Sequence, residues 1–282
     1  TFHDGRFQLA IGGKYFVDTL YESVGGGGAN VAIGGARNGL KTAVIGKIGN
    51  NSFKKLIIDE LEEEHVSTSL CDIEENYLNL SSILLTPQGE RTVINYQPPH
   101  MHIFKSKSAY EKILKTKAVY IGNLPDVALH EKIDITRYAK KNHTHTFMNL
   151  GVKDCRRPLA QLEDLVNNVD ALIVNGHEFA DFSKQNYEKI DFKNSVVEKK
   201  ISFLNKKILV VTEGAKGSYA YVNGKIFHEK AVKPHVIVDT TGAGDGYTAG
   251  FIAGYLKTED IKLSMEQGSQ YASKILAKIG AN

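Results

Sequence analysis

Tryptophan is absent from this 282-residue chain, methionine occurs three times and cysteine only twice. Cys71 and Cys155 stand in no paired motif. That excludes a disulfide framework or a zinc site as an organising device and makes a reducing cytoplasm the expected compartment. No apolar run approaches the ~18 residues needed to cross a bilayer, and no stretch reads as a signal peptide, so no membrane partner is expected. An excess of one charge is also missing. Thirty-five Lys and Arg face 32 Asp and Glu, for a net charge of +3. The two signs interleave, and no basic stripe points to nucleic acid. Runs such as Glu62-Glu63-Glu64 and Lys199-Lys200 read as solvated helix faces. The paired histidines, His100 with His102 and His143 with His145, have no third ligand at metal spacing.

Two common nucleotide signatures fail as well. No Gly-Lys is followed by Ser or Thr, so there is no P-loop; Gly13-Lys14, Gly46-Lys47 and Gly224-Lys225 all miss. The run Gly25 to Gly28 lacks the third glycine of a dinucleotide fingerprint, because Asn30 and Val31 stand where it would be. That run is either a hinge or a place where backbone approaches a polar ligand, with the Asn30 amide offering donors and an acceptor.

At 42% hydrophobic and 24% charged, the chain suits a globular protein with one large core or two modest domains. No repeat, low-complexity tract or linker divides it. Short strands are expected at 7–11 and 15–21, then a helix from about Asn30 to Leu40, and a strand over 42–48. Ser52 is placed to cap the next helix, which carries Phe53, Leu56, Ile57 and Leu61 on one face. β character returns over 77–97 around a Pro87-Gln88-Gly89 turn. Thereafter strands at 118–122, 145–150, 171–175 and 208–212 alternate with helical stretches near 108–115, 127–141, 158–168 and 194–205. That alternation argues an α/β fold with a parallel sheet covered on both faces. A hairpin follows, turning at Asn223-Gly224. The last helix shows Ile261, Met265, Ala272, Ile275, Leu276 and Ile279 on one side. The two early β-rich segments, about 6–24 and 77–98, would form a small accessory sheet.

The most informative stretch runs from Val236 to Tyr247. A short apolar strand leads into Asp239-Thr240-Thr241-Gly242-Ala243-Gly244-Asp245, and a helical run follows with Tyr247, Phe251 and Tyr255 four residues apart. A helix starting near Ala243 leaves several backbone N–H groups without partners in a positive field, which is an anion site. Asp245 sits inside that field. A carboxyl beside an anion hole points to transfer of a negatively charged group to a hydroxyl; a plain strand–helix turn is the alternative. Asn175-Gly176-His177-Glu178 and Thr212-Glu213-Gly214-Ala215-Lys216-Gly217 each follow a buried-looking strand, where α/β proteins bind ligands. Each also has a purely structural reading as a connection. Glu178 alone does not hold magnesium, which keeps several waters. No Ser-His-Asp arrangement is present.

Taken in order, these motifs resemble the ribokinase-like (PfkB) carbohydrate and nucleoside kinases over nearly the whole chain. Gly25-Gly26-x-x-x-Asn30-x-Ala32 is similar to the first family signature, Asn175-x-x-Glu178 to its Asn-x-x-Glu motif, and Thr212-x-Gly214-x-x-Gly217 to its nucleotide loop. Asp239 to Asp245 resembles the second signature, the most specific of the four. The resemblance implies a three-layer α/β/α sandwich, a single kinase domain over 1–282, with the two accessory segments as a β lid. It implies ATP-dependent phosphorylation of a hydroxyl on a small sugar. An adenosine-type nucleoside kinase and a catalytically silent binding relative are the alternatives, with a dinucleotide oxidoreductase a distant third.

Carried over by residue, Asp245 is the base and Gly242, Ala243 and Gly244 form the anion hole. Gly25, Gly26, Gly28 and Asn30 hold the substrate. Asn175, Glu178, Thr212, Gly214, Gly217 and Ser269 lie along ATP and Mg2+, with Glu178 acting on the metal indirectly. Asp239 and Thr241 match a monovalent-cation position, K+ being the candidate, and a homodimer through the lid is implied. Three departures stand out. Family chains open on a strand ending in a substrate-gripping Asp, which lies outside this sequence, and Asp4 and Asp18 are poor replacements. Gly49-Asn50-Asn51-Ser52-Phe53-Lys54 lacks the Asp and the later Gly usual after the first signature. Ser269 stands where an adenine-pocket Asn is common.

Overall fold

The computed structural model describes residues 2–3, 6–7, 9–86, 91–99, 102–103, 107–113, 115–193, 201–204 and 207–282. Two short strands, β1 (Phe2–His3) and β2 (Arg6–Phe7), pair antiparallel at the start. Helix α1 (Gly27–Arg37) leads to β3 (Thr42–Gly49), α2 (Lys54–Glu63) and β4 (Val66–Glu74), and β3 and β4 pair in parallel. The antiparallel hairpin β5 (Leu80–Leu85) and β6 (Arg91–Tyr96) comes next. Then follow α3 (Lys107–Ile113), β7 (Ala118–Ile121), α4 (Leu129–Lys141), β8 (His145–Met148), α5 (Gly151–Cys155), α6 (Leu159–Asn167), β9 (Ala171–Asn175) and α7 (Gly176–Ser183). The chain ends with β10 (Ile208–Thr212), β11 (Ser218–Val222), β12 (Lys225–Glu229), α8 (Ala243–Thr258) and α9 (Ile261–Leu276).

Six strands form the central sheet in the order β12-β11-β10-β9-β8-β7. β7 to β10 are mutually parallel, and β11 and β12 are added antiparallel. The two-residue period of a strand sorts its side chains between two cores. Leu172, Val174, Leu209 and Val211 face one cluster, with Leu162 of α6 and Phe179 of α7. Ala171, Ile173 and Val210 face the other, with Val31 of α1, Phe251 of α8 and Met265 of α9. Burial on both faces is why β9 and β10 are continuous apolar runs. The result is the three-layer α/β/α arrangement expected from sequence. A smaller cluster around Ile33, Leu61 and Val66 joins α1 and α2 to β4.

α8 and α9 approach backbone to backbone. A Cβ placed on Gly250 would lie 2.6 Å from the Gln267 carbonyl oxygen, and one on Gly254 would lie 2.9 Å from Ser264 Cα. At Gly246 it would meet the Ile275 side chain at 2.7 Å. α1 nests equally closely, since a Cβ on Gly34 would come within 2.5 Å of Ala249 Cβ.

Several local expectations are corrected. Residues 9–25 contain no strand; Ile11, Phe16 and Leu20 are exposed, and a turn closes with Gly13 N–H donating to the Ala10 carbonyl at 3.0 Å. β-rich composition did not suffice there because no cross-strand partner among the described residues pairs with it. Residues 236–238 are also outside any sheet: Val238 N–H donates to the Leu276 carbonyl at 2.8 Å instead. The helix expected from Asn30 begins three residues earlier, after Gly26 at φ 97°. Ser52 caps nothing: α2 starts behind Phe53, whose N–H donates to Asn51 Oδ1 at 2.9 Å. β4 was not anticipated. The Pro87-Gln88-Gly89 turn, most of the 194–205 helix, and Asp4 lie outside the described residues.

Candidate active site

The carboxyl ends of β7, β8, β9 and β10 lead into Gly122, Asn149, Gly176 and Glu213 respectively. In an open parallel sheet this edge is where ligands bind, because the strand ends and the helix N-termini that follow them leave polar backbone groups exposed. Asn175 and Thr212, the last residues of β9 and β10, stand side by side in register.

Asp245 is the third residue of α8, behind Gly242, which adopts φ 74° and ψ −5°. That left-handed turn is compulsory for the approach made there: a Cβ on Gly242 would sit 2.3 Å from the Ala281 carbonyl oxygen. The first N–H groups of α8 are left without intrahelical acceptors. A Cβ on Gly244 would enter open space, so this end of the helix is accessible. Asp245 Oδ2 accepts a 2.7 Å hydrogen bond from Asn30 Nδ2. Its Oδ1 lies 3.4 Å from where a Cβ on Gly27 would be. The N-terminal turns of α1 and α8, 215 residues apart in sequence, therefore converge on one carboxyl group. Burial pushes the Asp245 carboxyl above the usual carboxylate range, and the Asn30 bond partly opposes this. Asn30 itself is buried, and its Oδ1 has no hydrogen-bond partner among the described residues. A buried acceptor in that state calls for a donor from a ligand or water. Of the glycines ahead of it, Gly25, Gly26 and Gly28 all face open space.

Glu178 forms a reciprocal cap with Asn175: Asn175 N–H donates to Glu178 Oε2 at 2.9 Å, and Glu178 N–H donates to Asn175 Oδ1 at 2.9 Å. Asn149 Nδ2 donates to the same Glu178 oxygen at 3.1 Å and to the Ile173 carbonyl at 3.0 Å. Tyr120, in β7, feels the field of both acids. Burial drives its hydroxyl far above its ordinary range, and Asp245 and then Glu178 add to the shift. Both carboxyl groups thus act on one phenol. Gly214 and Gly217 take φ values of 53° and 96°, and a Cβ on Gly217 would meet the Glu229 carbonyl oxygen at 2.0 Å.

Ser269 is buried, and its hydroxyl is engaged by backbone: it donates to the Lys230 carbonyl and accepts from Val232 N–H, each at 3.0 Å. Asp239 is buried too. Its Oδ1 accepts from Thr241 N–H at 2.8 Å and Thr241 Oγ1 at 2.7 Å, and its Oδ2 accepts from Gly280 N–H at 3.2 Å. These donors are all neutral. Among the described residues no three His, Cys, Asp or Glu side chains cluster as a metal site, and no helix is long and apolar enough to cross a membrane. Three participants escaped the sequence reading. Asn149 and Tyr120 are followed by no recognisable motif. Arg91 of β6 donates from Nη1 to Thr240 Oγ1, which places a guanidinium beside the loop into α8.

An acid that can take a hydroxyl proton next to a row of unpaired N–H groups is the equipment of group transfer from an anionic donor to a hydroxyl. A model of the pfkB family carbohydrate kinases matches residues 15–282. A 5-dehydro-2-deoxygluconokinase from Clostridium botulinum is 25% identical over 299 residues, covering 97% of this chain and 88% of that protein. One from Bacillus subtilis is 25% identical over 274 residues, covering 92% and 82%. The structure of Arabidopsis thaliana ribokinase complexed with ribose and ATP superposes with a TM-score of 0.77 at 22% identity, covering 96% and 86%, which shows the common fold.

Proposed function

Because the chain belongs to the pfkB family of carbohydrate kinases, we propose that it uses ATP to phosphorylate a hydroxyl of a small sugar, with Asp245 as the base. The observation that carries this reading is the Asn30–Asp245 bond at the open end of α8. Asn30 fixes Oδ2, which leaves Oδ1 to accept the proton of the attacking hydroxyl. The orphan Asn30 Oδ1 accepts from a second hydroxyl of the sugar. N–H groups of Gly242, Ala243 and Gly244 face the transferred phosphoryl group, whose charge is spread over its three equatorial oxygens in a loose transition state. These donors are fixed before reaction and so need no reorganisation during it.

The donor set fits magnesium of the kind that keeps its waters and one or two carboxylates. Glu178, steadied by Asn149 and Asn175, would act on it indirectly, with the phosphates of ATP as its direct ligands. When bound, that ion neutralises phosphate charge. Thr212, Gly214 and Gly217 line the nucleotide, and Ser269 serves it indirectly by pinning residues 230–232. The buried Asp239 carboxyl with only neutral donors suits a monovalent cation such as K+, with Thr241 beside it.

Residues 9–24 and the β5–β6 hairpin act as the lid over the sugar. Every residue of β6 is exposed, including Val93, Ile94 and Tyr96. A two-stranded hairpin is marginal alone, and a second copy of the chain would cover it. Sedimentation equilibrium should therefore give a dimer, and a monomer at micromolar concentration would overturn the pairing. The kinase reading is tested with Asp245→Asn, assayed for ADP release over a panel of sugars and nucleosides. Undiminished turnover removes Asp245 from the role of base.

A further inference from the structure

Glu213 is the second residue of the 212–217 loop, yet its side chain points away from solvent, with 2% exposure. Its Oε2 accepts from the Tyr187 hydroxyl at 2.9 Å. Its Oε1 rests on Gly176, the first residue of α7, so closely that a Cβ there would stand 1.6 Å away. The same imaginary Cβ would meet Tyr187 Cε2 at 2.9 Å. Tyr187 in turn stacks on His177 with ring centroids 4.0 Å apart. The Glu213 N–H donates to the Gly217 carbonyl at 2.7 Å, which closes the loop on itself. One side chain thus ties the closed loop to the first turn of the helix that carries Glu178. The bond to Glu213 also holds the Tyr187 hydroxyl above its ordinary range, in keeping with a phenol that donates.

We propose that Glu213 is a positioning residue for the nucleotide: it sets the distance between the Thr212–Gly217 loop and the Asn175–Glu178 turn, so that both engage one MgATP. The inference rests on the kinase reading above. Glu213 touches neither Asp245 nor Asn30, and its effect should appear in nucleotide affinity and not in the sugar site. The carboxyl also borders a cavity of about 220 Å³ lined by Tyr187, Asp191, Phe192, Lys216 and Tyr219. Truncation there enlarges space that already exists, and the fold should tolerate it.

The test is MgADP binding by calorimetry without a sugar, alongside steady-state kinetics. Outer-shell partners typically change affinity 10- to 100-fold, so Glu213→Ala should raise the MgADP Kd and the KM for MgATP about tenfold, with kcat and sugar KM within about twofold. Glu213→Gln keeps an acceptor for Tyr187 and should restore most of the affinity. Tyr187→Phe removes a single hydrogen bond and should shift Kd in the same direction by less, which carries the test if Glu213→Ala does not fold. An unchanged MgADP Kd in the alanine and phenylalanine variants overturns the inference while leaving the kinase reading intact. So does a sugar KM that rises in step with that for ATP. Failure of the wild-type protein to bind MgADP overturns both.

Discussion

Replacing Asp245 by Asn changes little except the ability to accept a proton. Asn is isosteric, and its Oδ1 still accepts from Asn30 Nδ2, so the 2.7 Å contact survives. The tight fit beside Gly27, 3.4 Å from Oδ1 to a would-be Cβ, is likewise unaltered. Substrate KM should therefore stay within about twofold, whereas kcat loses the contribution of a general base, about 10²- to 10⁴-fold or about 3 to 5 kcal/mol of barrier. Folding responds with the opposite sign. Deleting an acid from the first turn of α8 forfeits about 0.3–1 kcal/mol of helix-dipole interaction. Against that, the raised native pKa means that the ionised form is penalised by burial. A group of this kind stabilises the fold most below its unfolded pKa and loses that advantage as pH rises through the native value. Once pH exceeds the native value the penalty is in force, and where burial outweighs the dipole the variant should melt higher than the wild type. Stopped-time ADP release and thermal denaturation at pH 7 measure the two quantities. Intact kcat, or a large rise in sugar KM at constant kcat, would show that Asp245 holds substrate and does not take its proton.

Three further outcomes follow from the same site. Because Asp245 works ionised and burial raises its pKa, kcat/KM should fall on the acid side at a pH above the ordinary carboxylate range. Asn30→Ala removes the bond that lowers that pKa and should move the limb to higher pH; a limb that stays in place dissociates it from this pair. Gly242→Ala puts a methyl group 2.3 Å from the Ala281 carbonyl oxygen at a left-handed residue, so it should cost about 2–4 kcal/mol and abolish turnover. A melting temperature within about 1 °C of wild type would refute that placement.

The parallel strands were legible because burial on both faces leaves uninterrupted apolar runs such as Ala171–Val174 and Ile208–Val211. The hairpin was legible because Asn223 and Gly224 tolerate the left-handed angles, 49° and 76°, that its turn adopts. The start of α8 was legible from its small residues. What could not be read is whatever depends on a distant neighbour. Asn149 has significance only because Glu178 lies beside it, Arg91 because Thr240 does, and Tyr120 because the field of two acids reaches it. The segment 9–21 failed for a related reason: its composition favours strands, but strand formation is decided by a partner. The glycines at 27 and 28 read as a hinge or an open backbone, and their place inside the first turn of α1 emerges only once Asp245 is opposite.

The glycines of α8 have a consequence for how such an enzyme diversifies. Side chains adjust to a neighbour by changing rotamer, but backbone against backbone has no such freedom. At Gly250 and Gly254 the facing atoms are main-chain atoms of α9, so even one methyl group has no room. The seam between α8 and α9 is thereby cast in a single mould, with no room for a larger residue at either glycine. Residues 9–23, exposed and outside any strand, carry no such constraint. Single substitutions there meet no backbone wall of the kind that fixes α8 against α9.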